Sequence, residues 1–281
     1  MHDLKIAVFP SVLNEDLTLA AQMAAEHNIP GLHLSAYGRY HADQLDAQAR
    51  RDIVKMLHDT GVEISAISTW GGEVDLCDRE QHATALPEGK RAMQLAVDLE
   101  CCKWQGHVGM IPWETDNPRW DAIVDGTRDL CEFGATIGAT LYLETGPEPP
   151  RIMGRLMETV GSAGLGGNFD PANLILWPPM IAKNLNVPYD QQWADDNFKP
   201  EDGAELLLPW IGHTHAKDAK ANPDGTALEV PLGEGDIDWV RYVGILRAGG
   251  YDGYFAVERE GGEDKLGDVL RAVDFLRNLP V

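Results

Sequence analysis

Residues 140–146 (TLYLETG) read as a short apolar β-strand that stops on a carboxylate, Glu144. The pattern returns three times toward the C-terminus: GNFD stops on Asp170, IGHTH on His215 and YFAVE on Glu258. Four more short apolar runs come earlier, at Lys5–Phe9, Gly31–Leu34, Val62–Ile67 and Lys103–Val108. Most are continuous rather than alternating, as expected of parallel strands covered on both faces.

Helical patterns fill the intervals. Leu17–His27 is rich in Ala and Leu, with Asn14 as its expected N-cap and Glu15 and Asp16 in its first turn. Asn117–Ile137 and Ile237–Ala248 also read as helices. In the last helix, Leu266, Val269, Leu270, Val273 and Leu276 recur at helical spacing on one face. Alternating strands and helices predict a parallel sheet. Eight such units in 281 residues predict a closed (β/α)8 barrel. No G-x-G-x-x-G follows the first strand, which argues against an open dinucleotide-binding sheet. No low-complexity linker divides the chain, so residues 1–281 read as a single domain. Residues 174–199 break the rhythm with Pro178, Pro179 and Pro188 among Trp177 and Trp193. They read as a long loop after strand six that covers substrate or contacts another subunit.

The four strand-ending residues carry the chemistry. In a parallel barrel the C-terminal strand ends converge at the mouth, where active sites form. Three carboxylates meeting there would repel one another without a cation. Glu144, Asp170, His215 and Glu258 therefore read as the ligands of one divalent ion. The oxygen-rich donor set suits Mn²⁺ first, with Mg²⁺, Co²⁺ or Zn²⁺ as alternatives. Around them, Trp70 and Trp113 follow strands three and four, where an aromatic wall against a substrate would stand, core packing being the other reading. Glu148, Asn173, His213 and Lys217 are the further candidates for substrate contact, with His213 alternatively filling the barrel and Lys217 alternatively pairing with Asp218 or another acid. His33 and His107 sit in strands two and four, and Arg259 and Glu260 follow Glu258.

Composition narrows the partners. With 23 Lys+Arg against 45 Asp+Glu the net charge is −22, and no basic cluster offers itself to a phosphate backbone, so a nucleic-acid partner is not expected. No stretch approaches the roughly 20 apolar residues of a membrane span. The four cysteines, Cys77, Cys101, Cys102 and Cys131, form no C-x-x-C pair and read as reduced thiols of a cytoplasmic protein. The oligomeric state is left open, a homo-oligomer included.

Five stretches together resemble the xylose-isomerase-like barrels of the sugar phosphate isomerase/epimerase superfamily: LYLETG (141–146), NFDPANL (168–174), HTHAKDA (213–219), PLGEGDIDW (231–239) and GYDGYFAVERE (250–260). They cover the C-terminal half; the N-terminal half matches only in its βα rhythm. The resemblance implies that Glu144, Asp170, His215 and Glu258 bind the metal. It also implies that Glu144 and Glu258 remove and return a proton beside a sugar or keto-sugar carbonyl, with the metal stabilising the enediolate. Departures qualify the substrate. Ketohexose epimerases carry a His where this chain has Asn173, an Arg where it has Ala221, and a second Glu where it has Pro150, with Glu148 nearby. The resemblance thus implies a substrate other than free fructose or psicose. Alternative readings are a lyase on the same scaffold, dehydrating an inosose or eliminating from a 3-keto-glycoside, and a non-catalytic barrel subunit. A three-zinc endonuclease is opposed by Asn173 at a ligand-His position and by the acidic charge.

Overall fold

The computed structural model describes residues 4–70, 74–222 and 224–281, with the side chain of Trp70 outside that set. Eight parallel strands close a barrel, with helices between them. In chain order the strands are β1 (Lys5–Val8), β2 (Gly31–Ser35), β3 (Glu63–Trp70), β4 (Lys103–Gly106), β5 (Thr140–Glu144), β6 (Leu165–Phe169), β7 (Ile211–Ala216), the hairpin pair β8 (Asp218–Ala221) and β9 (Ala227–Val230), and β10 (Tyr254–Val257). The barrel closes in the order β1-β10-β7-β6-β5-β4-β3-β2, with the antiparallel β8–β9 hairpin outside it. Four of the barrel strands, β1, β4, β6 and β10, bury every position but the first at most, as expected of strands covered on both faces.

The helices begin and end where local chemistry dictates. Asp16, not Asn14, caps Leu17–Glu26: its carboxylate accepts from the amides of Thr18 and Leu19. Asn14 ends a short helix, Pro10–Leu13, and its side chain accepts from the Asp16 amide. Asp46, Asp238 and Asp264 cap the helices starting at Ala47, Trp239 and Lys265 in the same way. Gly138 and Gly161 end their helices in the left-handed region, at φ of 78° and 63°, a conformation glycine adopts without strain.

A second expectation needs correction. Residues 174–199 are not a loop. They hold most of the helix Asn173–Leu185 and all of the helix Gln191–Phe198, the second capped by Asp190. Leu174, Pro178 and Ala182 recur every four residues and are buried on one face. That burial outweighs the backbone bonds lost at Pro178 and Pro179. The β8–β9 hairpin, which the sequence reading did not anticipate, turns through Gly225 at φ 79°. No helix among the described residues is long and apolar enough to cross a membrane. All four cysteines are free, with Cys77 and Cys131 buried.

Candidate metal centre

The barrel brings the four strand-end residues together. Glu144 is the last residue of β5, Asp170 and Glu258 each lie one residue beyond β6 and β10, and His215 lies inside β7. One ligand atom from each falls within 4.8 Å of the others. In barrel order β6 and β7 stand between β5 and β10. Glu144 and Glu258 therefore approach from two sides of the mouth, with Asp170 and His215 between them.

Each group is held in place. Glu144 accepts from Gln105 Nε2 at one oxygen and from Asn173 Nδ2 (3.2 Å) at the other, and His107 Nε2 is 3.3 Å from its Oε2. Asp170 Oδ1 caps the following turn, accepting from the amides of Ala172 (2.9 Å) and Asn173 (3.2 Å). Thr145 Oγ1 donates to the Asp170 carbonyl and accepts from its amide, tying the ends of β5 and β6 together. His215 Nδ1 lies 3.3 Å from Glu144, 3.7 Å from Asp170 and 3.2 Å from Glu258. Lys217 Nζ is 3.1 Å from Glu258 Oε2, bonds Glu260 Oε2 and is 3.8 Å from Asp170 Oδ2.

Burial raises the cost of charge at every one of these groups, and the neighbours decide the outcome. Burial pushes Glu144 up, but His107 and His215 hold it below the usual carboxylate range. Glu258 is likewise driven low by His215 and Lys217 against its burial. Asp170, wholly buried, stays raised despite Lys217 and His215.

A divalent cation fits this donor set. Asp170 Oδ2 and His215 Nδ1 are buried and have no hydrogen-bond partner, and buried polar atoms are rarely left so. Both belong to the converging four, and three carboxylate oxygens with one imidazole nitrogen match a hard or borderline ion. A second group, His33, His213 and His215, is equally compact. There, however, both ring nitrogens of His213 are taken up by Asn168 (2.8 Å) and Ser65 (3.3 Å).

The other expected substrate contacts are placed differently. His213 is wholly buried in the barrel floor, away from the mouth. Asn173 spends its amide on Glu144 and the Thr145 carbonyl, so it orients the Glu144 carboxylate. Lys217 pairs with Glu258 and Glu260, while Asp218 accepts from Trp239 Nε1 and the amides of Gly233 and Gly235. Trp113 stacks on Trp193 at 6.0 Å, against the helix that the sequence reads as loop. Trp70, also expected at the substrate, has its side chain outside the described residues. Arg259 is committed to Glu229 and Asp268 (2.8 Å each), and Glu229 also accepts from the amides of Glu260 and Gly261, which braces the hairpin against the turn after Glu258. Sequence reasoning missed Gln105, Asn168 and Glu229. For Gln105 and Asn168 an inward polar residue on a barrel strand is the only signal, and register is needed to read it; Glu229 lies on the hairpin outside the barrel.

Glu148 is 3% exposed and lies against the backbone of Ile111, with Oε2 unpartnered. Burial pushes its carboxyl from an ordinary 4.5 up to about 8. A carboxyl raised on folding binds its proton more tightly in the folded state, so stability falls as pH rises from about 4.5 to about 8 and levels off above. Glu148→Gln cannot ionise. Thermal melts should show this variant gaining on the native protein between pH 5 and pH 8; parallel pH curves would refute the assignment.

The family model described as xylose isomerase-like TIM barrel matches residues 21–279. L-ribulose-5-phosphate 3-epimerase UlaE of Shigella flexneri serotype 5b (strain 8401) is 27% identical over 207 residues, covering 71% of this chain and 65% of that protein. The matched region thus spans just under two thirds of that relative's length. The crystal structure of a xylose isomerase domain protein from Planctomyces limnophilus superposes with a TM-score of 0.78 at 23% identity, covering 99% of this chain and 96% of that one. A xylose isomerase-like TIM barrel protein from Mycobacterium smegmatis, solved in complex with magnesium, gives 0.74 at 17% identity, with 99% and 98% covered. At these identities the two structures share the fold.

Proposed function

Because the chain belongs to the xylose isomerase-like TIM barrel family, we propose that it is a divalent-metal-dependent sugar or keto-sugar epimerase or isomerase. Glu144, Asp170, His215 and Glu258 would hold the ion, and Glu144 and Glu258 would move a proton on the carbon beside a carbonyl. The observation that carries this reading is the convergence of these four groups within 4.8 Å, with Asp170 Oδ2 and His215 Nδ1 buried and in no hydrogen bond.

When bound, the cation supplies Lewis-acid polarisation of the substrate carbonyl, which makes the neighbouring C–H more acidic. The proton traffic belongs to the two glutamates. They stand on two sides of the mouth, so one can take a proton from one face of the carbon while the other returns it to the opposite face. Gln105, His107 and Asn173 orient Glu144, and Lys217 orients Glu258. Their donors also keep both carboxylates ionised, the form that accepts a proton. Mn²⁺ is the ion we expect, on the oxygen-rich donor set.

The test is solvent exchange. The purified protein, with Mn²⁺ and a panel of phosphorylated and free keto-sugars in D₂O, should place deuterium on the carbon beside the carbonyl as the epimer or isomer forms. EDTA should stop the exchange and added Mn²⁺ restore it. Loss of water or of an aglycone would instead make the chain a lyase on the same scaffold. Exchange that survives complete metal removal would refute the metal-dependent reading.

A further inference from the structure

The four-residue site stands on a buried polar floor that the proposed reaction does not use. Asn168, on β6 two residues before Asp170, is wholly buried. Its Oδ1 is 2.8 Å from His213 Nδ1 and its Nδ2 is 3.2 Å from His215 Nε2. His213 Nε2 is 3.3 Å from Ser65 Oγ, and that hydroxyl is 3.3 Å from the Leu32 carbonyl. The contacts form a continuous chain from the backbone of β2 to the imidazole of the candidate ligand.

Such a chain has a direction. A neutral imidazole has one N–H and one bare nitrogen, and a primary amide has a donating end and an accepting end. With the amide as it stands, His213 Nδ1–H donates to Asn168 Oδ1, and Asn168 Nδ2 donates to a bare His215 Nε2. A neutral His215 then carries its hydrogen on Nδ1, the nitrogen facing Glu144, Asp170 and Glu258. A ring nitrogen bearing hydrogen cannot also hold a cation. If Nδ1 is to be the metal ligand, the hydrogen must sit on Nε2, and Nε2–H needs an acceptor. Asn168 supplies one by turning its amide over, which sets Oδ1 toward His215 and Nδ2 toward His213. His213 then carries its hydrogen on Nε2, where Ser65 Oγ accepts it, while the Ser65 hydroxyl donates to the Leu32 carbonyl.

We propose that Asn168 is a positioning residue whose amide, backed by His213 and Ser65, selects which ring nitrogen of His215 is free for the metal. The proposal rests on the metal reading above. It assigns an outer partner of the kind whose loss costs about 10- to 100-fold in metal affinity.

The experiment is Mn²⁺ titration of the full chain, native and variant, with folding checked by circular dichroism. Asn168→Leu removes the acceptor and should weaken Mn²⁺ binding about 10- to 100-fold. Asn168→Asp can only accept, so it should keep native affinity or exceed it. Equal affinities for native protein and Asn168→Leu would overturn the proposal, as would equal weakening in both variants. A native readout stands beside the variants. Nitrogen-15 NMR of the His213 ring should show its hydrogen on Nε2 in the Zn²⁺-loaded protein, and a hydrogen kept on Nδ1 would overturn the proposal. If the native protein takes up no Mn²⁺ or Zn²⁺, the metal reading itself fails, which is a different result from metal uptake that ignores Asn168.

Discussion

Glu144→Gln and Glu258→Gln are each expected to lower the rate of solvent-deuterium exchange by about 10²- to 10⁴-fold, the usual contribution of a positioned acid–base group. That is about 3–5 kcal/mol of activation free energy. An amide keeps the shape of a carboxylate but does not accept a proton from carbon at neutral pH. It also keeps one carbonyl oxygen for a cation, so it separates the role of base from the role of ligand better than Ala would. If the loss comes only from weaker metal binding, excess Mn²⁺ restores the rate. If a base has been removed, it does not. At Glu144 one further effect has a known source: Gln105 and Asn173 donate to the two carboxylate oxygens. The amide nitrogen of the new Gln must face one of those donors, which costs about 1–3 kcal/mol of stability. Exchange rate, bound Mn²⁺ and melting temperature should be measured on the same preparations. If both variants retain native turnover, the two-glutamate mechanism is wrong.

The barrel was legible because each strand end carries its own signal. A short apolar run can be recognised without knowing what lies beside it, eight such runs leave few topologies, and the last four also carry a polar stop. The observed strands begin and end within a few residues of those read from sequence. The helix Asn173–Leu185 was not legible because Pro178 and Pro179 are local signals against helix, while the face that stabilises it is buried only once the neighbouring elements are in place. The four converging groups were legible for the same reason as the strands that carry them. Asn168 and Gln105 were hidden because a strand shows period-two alternation but not which face is inward. His213 and His215 share a face by that alternation. Depth along the strand then separates them, with His215 at the carboxylates and His213 beneath, on Asn168 and Ser65.

Lys217→Met should cost about 3–5 kcal/mol of folding stability in the metal-free protein, the usual penalty for leaving a buried charge without its partner. Lys217 is 4% exposed, and its ammonium faces Asp170, Glu258 and Glu260. Burial alone would lower its pKa; these carboxylates reverse that and hold it above the usual lysine range. Methionine fills a similar volume, so the loss is mainly electrostatic: Glu258 and the wholly buried Asp170 remain with less compensation. A bound divalent cation would offset the same two carboxylates. The penalty should therefore shrink when Mn²⁺ is saturating, and by linkage the variant should bind Mn²⁺ more tightly than the native protein, tenfold for each roughly 1.4 kcal/mol of shrinkage. Denaturant unfolding of both proteins, with EDTA and with excess Mn²⁺, measures all four stabilities. A penalty unchanged by Mn²⁺ would mean that the lysine and the cation do not share carboxylates. Lys217 would then be a fixed partner of Glu260 rather than the charge that stands in the barrel mouth when the metal does not.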